Sequence, residues 1–270
     1  MASVYPGLGI SAAALTLLGM IAGCGGNVSD GGASTPGETQ LLGDDLTVVT
    51  GTTRSAFGFG EVVVLEPDDV YTETCAGVLI APRVVITAAH CVAFVTRKTW
   101  KVTAPFTSVG PQTATARDGE PMDAAFKNAT RENYADKPLR DVALVYLDRP
   151  FEGAAQAVVS ATGFPTDSAS PPTFVAAVGR APSSGGDPLV LSGPSVLATA
   201  PRASLEYATK RLTTIGQSGG PLFVEGTHRL VAVHAGVDAS GNDTWARLDG
   251  DVYTWMTQKV SSHGGWFVRD

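Results

Sequence analysis

Residues 84–91 read VVITAAHC, residues 141–147 read DVALVYL and residues 216–222 read GQSGGPL. Each segment joins one chemically reactive side chain to a short apolar run or to a glycine turn. In chain order these side chains are a histidine, an aspartate and a serine, and each motif occurs once. One such motif is weak evidence, because a serine between glycines is usually part of a turn. Three in one chain indicate a shared site.

The chain around these segments consists of short apolar runs separated by turn residues. Helical periodicity is confined to residues 251–260, whose apolar positions fall at i, i+3, i+4 and i+8. The pattern predicts an all-β barrel or sandwich that ends in one helix. The runs with the length and the Val and Ile content of strands are residues 61–65, 76–80, 83–87, 142–147, 173–178, 221–224 and 230–233.

Composition narrows the class of protein. The chain has 270 residues, of which 44% are hydrophobic and 17% charged, and it contains 31 Gly and 17 Pro. These values are typical of a turn-rich globular domain and not of a disordered chain. The net charge of −7 disfavours nucleic acid as a partner, because phosphate binding needs clustered Lys and Arg.

The amino terminus predicts export. Residues 10–23 form an apolar run that is too short to span a bilayer but fits the core of a secretory signal, although no Lys or Arg precedes it. Residues 21–24, IAGC, resemble the lipobox of bacterial lipoproteins, in which the Cys is acylated and the chain is cut just before it. We therefore predict a lipoprotein signal at residues 1–23, acylation of Cys24 and a flexible tether at residues 24–45. The alternative is an ordinary signal peptide and a secreted protein with an incidental Cys.

The cysteine count supports this interpretation. The chain has three cysteines, and if Cys24 carries lipid, Cys75 and Cys91 remain as a pair. An exported chain meets an oxidising compartment, so we expect a Cys75–Cys91 disulfide. Both cysteines with His90 could suggest zinc, but a fourth ligand and the usual close spacing are missing. We therefore predict no metal and no cofactor.

The three reactive side chains fit nucleophilic catalysis. A Ser218 hydroxyl needs a base to take its proton, and His90 suits this task because histidine ionises near neutral pH. A carboxylate at Asp141 would orient the imidazole and stabilise the imidazolium. The backbone N–H groups of Gly216 and Ser218 would form an oxyanion hole.

Together the motifs resemble those of the trypsin-like serine proteases, in order and separation, over about residues 48–260. The resemblance implies two six-stranded antiparallel β-barrels, at about residues 46–155 and 156–250, within a protease domain at residues 46–270 closed by the helix at 251–260. It implies an endopeptidase that forms an acyl-enzyme on a protein or peptide substrate, and we expect a monomer. The main alternative is a catalytically silent, protease-like binding module on the cell surface.

The chain departs from trypsin at several positions near the nucleophile. Gln217 replaces the family's Asp, which pairs with a newly cleaved amino terminus, and Leu212 replaces the pocket Asp that selects Lys or Arg. The segments around Thr213 and around His234 and Gly236 resemble the substrate pocket of bacterial glutamyl endopeptidases. That resemblance implies that Thr213 and His234 bind a substrate carboxylate and that the enzyme prefers Glu or another acidic residue before the cleaved bond. The alternative is that His234 lies on a strand and bonds only to a neighbour.

Overall fold

Strands make up most of the regular structure in the computed structural model of the chain. The structure describes residues 40–41, 48–49, 52–69, 73–128, 139–180, 189–202, 204–214 and 216–269, which all lie in one unit, Gly37–Asp270. The predicted signal and Cys24 lie outside these residues. Two short strands, β1 (Gln40–Leu41) and β2 (Val48–Val49), pair with each other ahead of the main sheets.

Six strands of the first half close into an antiparallel barrel in the order β4-β5-β6-β9-β8-β7. Trp100, Leu65 and Leu79 are buried in its interior. The helix α1 and a 3₁₀ helix, Ala124–Asn128, lie between strands. The elements of this half are β3 (Thr52–Ser55), β4 (Val62–Pro67), β5 (Cys75–Ala81), β6 (Val84–Thr87), α1 (His90–Ala93), β7 (Trp100–Ala104), β8 (Gln112–Pro121) and β9 (Ala143–Leu147).

The second half contributes eight strands to a curled sheet of nine, and β3 from the first half is the ninth. Its path runs β13-β14-β17-β16-β15-β11-β12-β3, and β10 adds to β16 in parallel. Only Leu197 separates β12 from β13, so β12 and β13 form one nearly continuous stretch of chain. This stretch pairs with β11 through β12 and with β14 through β13. It therefore joins the two ends of the path β14-β17-β16-β15-β11, which gives a second barrel-like arrangement of six strands. These strands are β10 (Val158–Val159), β11 (Phe174–Arg180), β12 (Leu189–Val196), β13 (Ala198–Thr199), β14 (Glu206–Thr209), β15 (Pro221–Val224), β16 (Arg229–Val237) and β17 (Asp243–Arg247).

A terminal helix, α2 (Asp251–Ser262), contributes to a core shared with strands of both halves and also makes polar contacts. Its buried Met256 and Val260 share a core cluster with Ile86 of β6 and Phe223 of β15. Lys259 on this helix bonds to Glu120 across 2.5 Å. The all-β, two-barrel fold with a closing helix is therefore confirmed. No described helix has the length and apolar character needed to span a membrane.

A disulfide joins Cys75, at the start of β5, to Cys91 in α1. The predicted pairing is confirmed. The two cysteines are 16 positions apart, and closing a loop of that length contributes about 3 kcal/mol in the chain-entropy model. His90 is adjacent to this bond and lies close to both sulfurs. Because both sulfurs are bonded to each other, neither is a thiolate that could bind zinc.

Candidate active site

Strand pairing brings His90 and Asp141 to the same edge of the first barrel. Thr87, the last residue of β6, pairs with Ala143, the first residue of β9. In an antiparallel pair, the chain leaving one strand therefore emerges beside the chain entering the other. His90 begins α1 just after β6, and Asp141 stands just before β9.

The two side chains make a close pair. His90 Nδ1 lies 2.7 Å from Asp141 Oδ2, and the His90 backbone N–H donates to Asp141 Oδ1 at 2.9 Å. Only 13% of the His90 side chain and 7% of the Asp141 side chain are exposed. A carboxylate at Nδ1 favours the tautomer with its proton there, so Nε2 carries the lone pair that a general base needs.

Neighbouring contacts hold the Asp141 segment in place. The backbone N–H of Arg140 donates to Asp123 at 2.7 Å, and the Arg140 guanidinium pairs with Asp251 at the start of α2. The Val142 carbonyl accepts from Met122 at 2.8 Å. The carboxylate that orients His90 is therefore itself fixed from both sides along the chain.

The loop that carries Ser218 packs against β5 and against Thr87 and Ala88, the residues that lead into His90. The Ser218 carbonyl accepts a hydrogen bond from Ala76 of β5 at 2.8 Å. A Cβ placed on Gly219 would lie 2.0 Å from Thr87 Oγ1 and 2.8 Å from the backbone N of Ala88. Only a glycine permits this approach, and its φ of +76° is a second reason for glycine at this position.

Two backbone N–H groups in this loop lack an acceptor within the part of the chain that the structure describes. Gln217, Gly219 and Gly220 each donate to a carbonyl, at 3.2, 2.9 and 2.9 Å respectively. Among the described residues, none accepts from the N–H of Gly216 or of Ser218. Gly216 has φ +84°, a conformation that favours glycine. The two donors predicted for an oxyanion hole are thus the two left unused in residues 216–220.

Behind the loop, Thr213 and His234 lie side by side but face a carboxylate of the chain itself. Thr213 Oγ1 lies 3.0 Å from His234 Nε2 and donates to Asp243 Oδ1 at 2.8 Å. The backbone N–H groups of Leu212 and Thr213 donate to Asp243 Oδ2 at 2.6 and 2.9 Å. Asp243 is completely buried, and Arg211 Nε lies 3.3 Å from its Oδ1.

The electrostatics of this cluster favour an ionised Asp243. Although burial raises the pKa of the Asp243 carboxyl, hydrogen bonds from His234 and from the loop N–H groups outweigh burial and hold that pKa below its ordinary value. Sequence reasoning missed Asp243 because it follows Gly241 and Asn242, which look like part of an ordinary polar turn. Leu212 itself is buried.

A cleft of about 360 Å³ opens beside the His90–Asp141 pair, and Asp141 and Gly236 both line it. Arg202 and Glu206 form a bidentate ion pair in its wall. Burial raises the pKa of Glu206, the Asp141 carboxylate adds to this rise, and the Arg202 guanidinium opposes it. Of the predicted pocket residues, Gly236 therefore borders the open cleft, whereas Leu212, Thr213 and His234 belong to the buried cluster around Asp243.

Comparison with known proteins supplies the family. The family model described as Trypsin matches residues 60–257. No curated protein matches the chain in sequence. Among solved structures, the chain is similar to the HL collagenase, with a TM-score of 0.61 and 16% identity over 79% of this chain and 98% of that one. It is also similar to the VesB protease of Vibrio cholerae, with a TM-score of 0.57 and 17% identity over 77% of this chain and 66% of that one.

Proposed function

We propose, from the premise that this chain belongs to the trypsin family of serine proteases, that it is an endopeptidase whose nucleophile is Ser218. The observation that carries the proposal is the largely buried His90–Asp141 pair at 2.7 Å beside a loop whose Gly219 packs against Thr87 and Ala88. A nucleophile, a base that takes its proton and a carboxylate that orients the base meet the requirements of acyl transfer.

In the proposed mechanism, His90 Nε2 takes the Ser218 proton as Oγ attacks the scissile carbonyl. Asp141 holds the imidazole through Nδ1 and stabilises the positive charge that develops on it. The oxygen of the tetrahedral intermediate accepts from the N–H groups of Gly216 and Ser218, for which no described residue provides an acceptor. His90 then protonates the leaving amine, and a water molecule, activated by the same base, releases the acyl group.

The proposal is tested by incubating the purified protein with a mixed peptide library, with and without a serine-directed phosphonate. We expect peptide-bond cleavage that the phosphonate abolishes. The silent binding module predicts no cleavage in either arm. Cleavage that resists the phosphonate but stops with a chelator would contradict a serine mechanism.

The residue selected before the cleaved bond is a separate question. The preference for Glu expected from Thr213 and His234 stays a prediction, and the contacts of Asp243 argue against it. A substrate carboxylate bound to Thr213 and His234 would lie beside the buried carboxylate of Asp243, because both donors already lie within 3.5 Å of Asp243 Oδ1. Two negative charges that close together in a buried site repel strongly. We infer that the pocket takes an uncharged side chain.

This inference predicts a specific outcome for His234→Ala. The ratio of kcat/KM for a Glu substrate to that for a matched Leu substrate should change by less than about 3-fold, because His234 serves Asp243 and not the substrate. Taking the ratio within one protein cancels any change in the fraction that folds. A charged hydrogen bond contributes about 1.5–3 kcal/mol, which corresponds to a 10- to 100-fold change in rate. A fall of that size in the ratio would contradict this inference and support a pocket that binds Glu through His234.

We also propose that the protease works outside the cytoplasm, tethered through Cys24 to a bacterial membrane. The predicted signal, tether and lipobox support this location, and the Cys75–Cys91 disulfide is consistent with an oxidising compartment. The anchor would present the cleft to protein or peptide substrates at the cell envelope.

A further inference from the structure

Gln217, the residue directly before the proposed nucleophile, has a buried side chain. In the family this chain resembles, an Asp at this place pairs with the ammonium of a freshly cleaved amino terminus. A neutral amide cannot form that ion pair. Gln217 is nonetheless only 3% exposed, and a buried side-chain amide must find its partners within the chain.

Both ends of the Gln217 amide are paired. Its Nε2 donates to the Arg180 carbonyl, at the end of β11, across 2.7 Å. Its Oε1 accepts from the backbone N–H of Thr214 at 3.2 Å. The Gln217 backbone continues the pattern, since its N–H donates to the Thr214 carbonyl at 3.2 Å and its carbonyl accepts from Gly220 at 2.9 Å. One residue thus connects the strand to both sides of the nucleophile loop.

The strand is shaped to receive this side chain. A Cβ on Gly179, next to Arg180 on β11, would lie 2.7 Å from both Cγ and Cδ of Gln217. The Gln217 side chain therefore fills the space beside Gly179 that a larger residue's side chain would occupy. Packing and two hydrogen bonds together fix Gln217, whose carbonyl shares a peptide unit with the N–H of Ser218 and whose preceding neighbour is Gly216.

We propose that Gln217 is a positioning residue that holds the oxyanion hole in its working form, so that the enzyme needs no newly formed amino terminus to become active. The inference rests on the proposed function. The internal hydrogen bonds of Gln217 take the place of the buried ion pair. The segment VVTG at residues 48–51, which loosely matches the family's mature amino terminus, can then stay joined to the residues before it.

The first test compares one protein before and after cleavage. The protein is prepared with a protease site inserted before Val48, and its mass is measured to show that the chain is uncut there. Half of the sample is then cleaved at that site, so that Val48 becomes the new amino terminus. We expect complete fluorophosphonate labelling of both forms, with kcat/KM values within about 2-fold of each other. If only the cut form reacts, the inference fails and the protease proposal stands. If neither form reacts, the protease proposal itself fails.

The second test separates positioning from folding. Gln217→Met keeps the approximate length of the side chain but removes both hydrogen bonds. We expect kcat to fall about 100-fold, the scale of losing one oxyanion donor, while KM changes by less than about 3-fold. Affinity for a peptide boronate, which mimics the tetrahedral intermediate, should fall in parallel with kcat.

A matched control lies far from the site. Gln112→Met removes a similar amide, which donates to the Glu152 carbonyl at 2.5 Å in the first barrel, and should leave kcat unchanged. A kcat for Gln217→Met within 3-fold of the unsubstituted value would overturn the role of Gln217. If that variant does not fold, Gly179→Ala displaces the Gln217 side chain without altering it, and the same fall in kcat is expected.

Discussion

At the scale of single residues, the clearest contrast is between the three predicted catalytic side chains and Asp243, which accepts hydrogen bonds from the backbone of Leu212 and Thr213. His90, Asp141 and Ser218 stand in motifs whose neighbours are apolar strands or glycines, so the sequence itself marks them. Asp243 stands in a turn-like segment, and its role depends on a strand pairing between β14, β16 and β17 that no local pattern encodes. Long-range contacts of this kind are the part of a site that composition and spacing cannot reveal.

Asp243 makes a prediction about stability and pH. Its pKa is lowered in the folded protein, so its contribution to the free energy of unfolding is fully present above the ordinary Asp pKa of about 3.9 and is lost as pH falls through the folded value. Asp243→Asn should therefore lower the free energy of unfolding by about 3 kcal/mol at pH 7. The difference in free energy of unfolding between the variant and the unsubstituted protein should shrink below about pH 4.

Urea unfolding at a series of pH values measures this difference. Asp167→Asn, at an exposed loop position, serves as the control and should show almost no cost at any pH. A cost for Asp243→Asn that is the same at pH 3 and pH 7 would contradict an ionised, internally hydrogen-bonded Asp243.

At the scale of elements, the apolar strands were predictable and the polar ones were not. All seven runs singled out in the sequence lie within or overlap strands of the structure. The strand β8 reads QTATARDGEP and is partly exposed along its length, so it lacks the apolar content that marks a buried strand. β14 and β17 are short and mix charged with aromatic residues, and only pairing with their neighbours shows that they are strands.

The contact between the loop that carries Ser218 and the first barrel predicts the effect of Gly219→Ala. The added methyl group would clash with Thr87 Oγ1 and with the backbone at Ala76 and Ala88, so the loop must move away from His90. We expect kcat/KM to fall by at least about 100-fold, the usual cost of a misplacement near 1 Å.

Gly226→Ala is the matched control for this substitution. Gly226 also has a positive φ, +70°, but a Cβ there meets nothing within 4 Å. It shares the backbone strain without the clash, so it should lower stability modestly and leave kcat/KM near its original value. Equal losses of activity in the two variants would show that backbone strain, and not the packing of the loop, explains the effect.

At the scale of the whole molecule, the sequence predicts how the protease domain is held at the membrane. Metabolic labelling with a fatty-acid probe should mark the unsubstituted protein and not Cys24→Ser, because Cys24 is the cysteine outside the disulfide. Two acyl chains give stable anchoring where one is marginal, so the labelled protein should sediment with membranes. Unlabelled protein free in the medium would favour the ordinary signal peptide instead.

The central claim is that Ser218 is the nucleophile of a peptidase, and the most direct measurement is the mass of the protein after reaction with a fluorophosphonate. We predict one adduct, on the peptide that contains Ser218, together with complete loss of peptide hydrolysis. Ser218→Ala should take up no adduct and lose hydrolysis by at least about 10⁵-fold, near the loss typical of a triad, while Ser168→Ala at an exposed position behaves as the unsubstituted protein. Hydrolysis that survives in Ser218→Ala, or an adduct on another residue, would contradict the assignment.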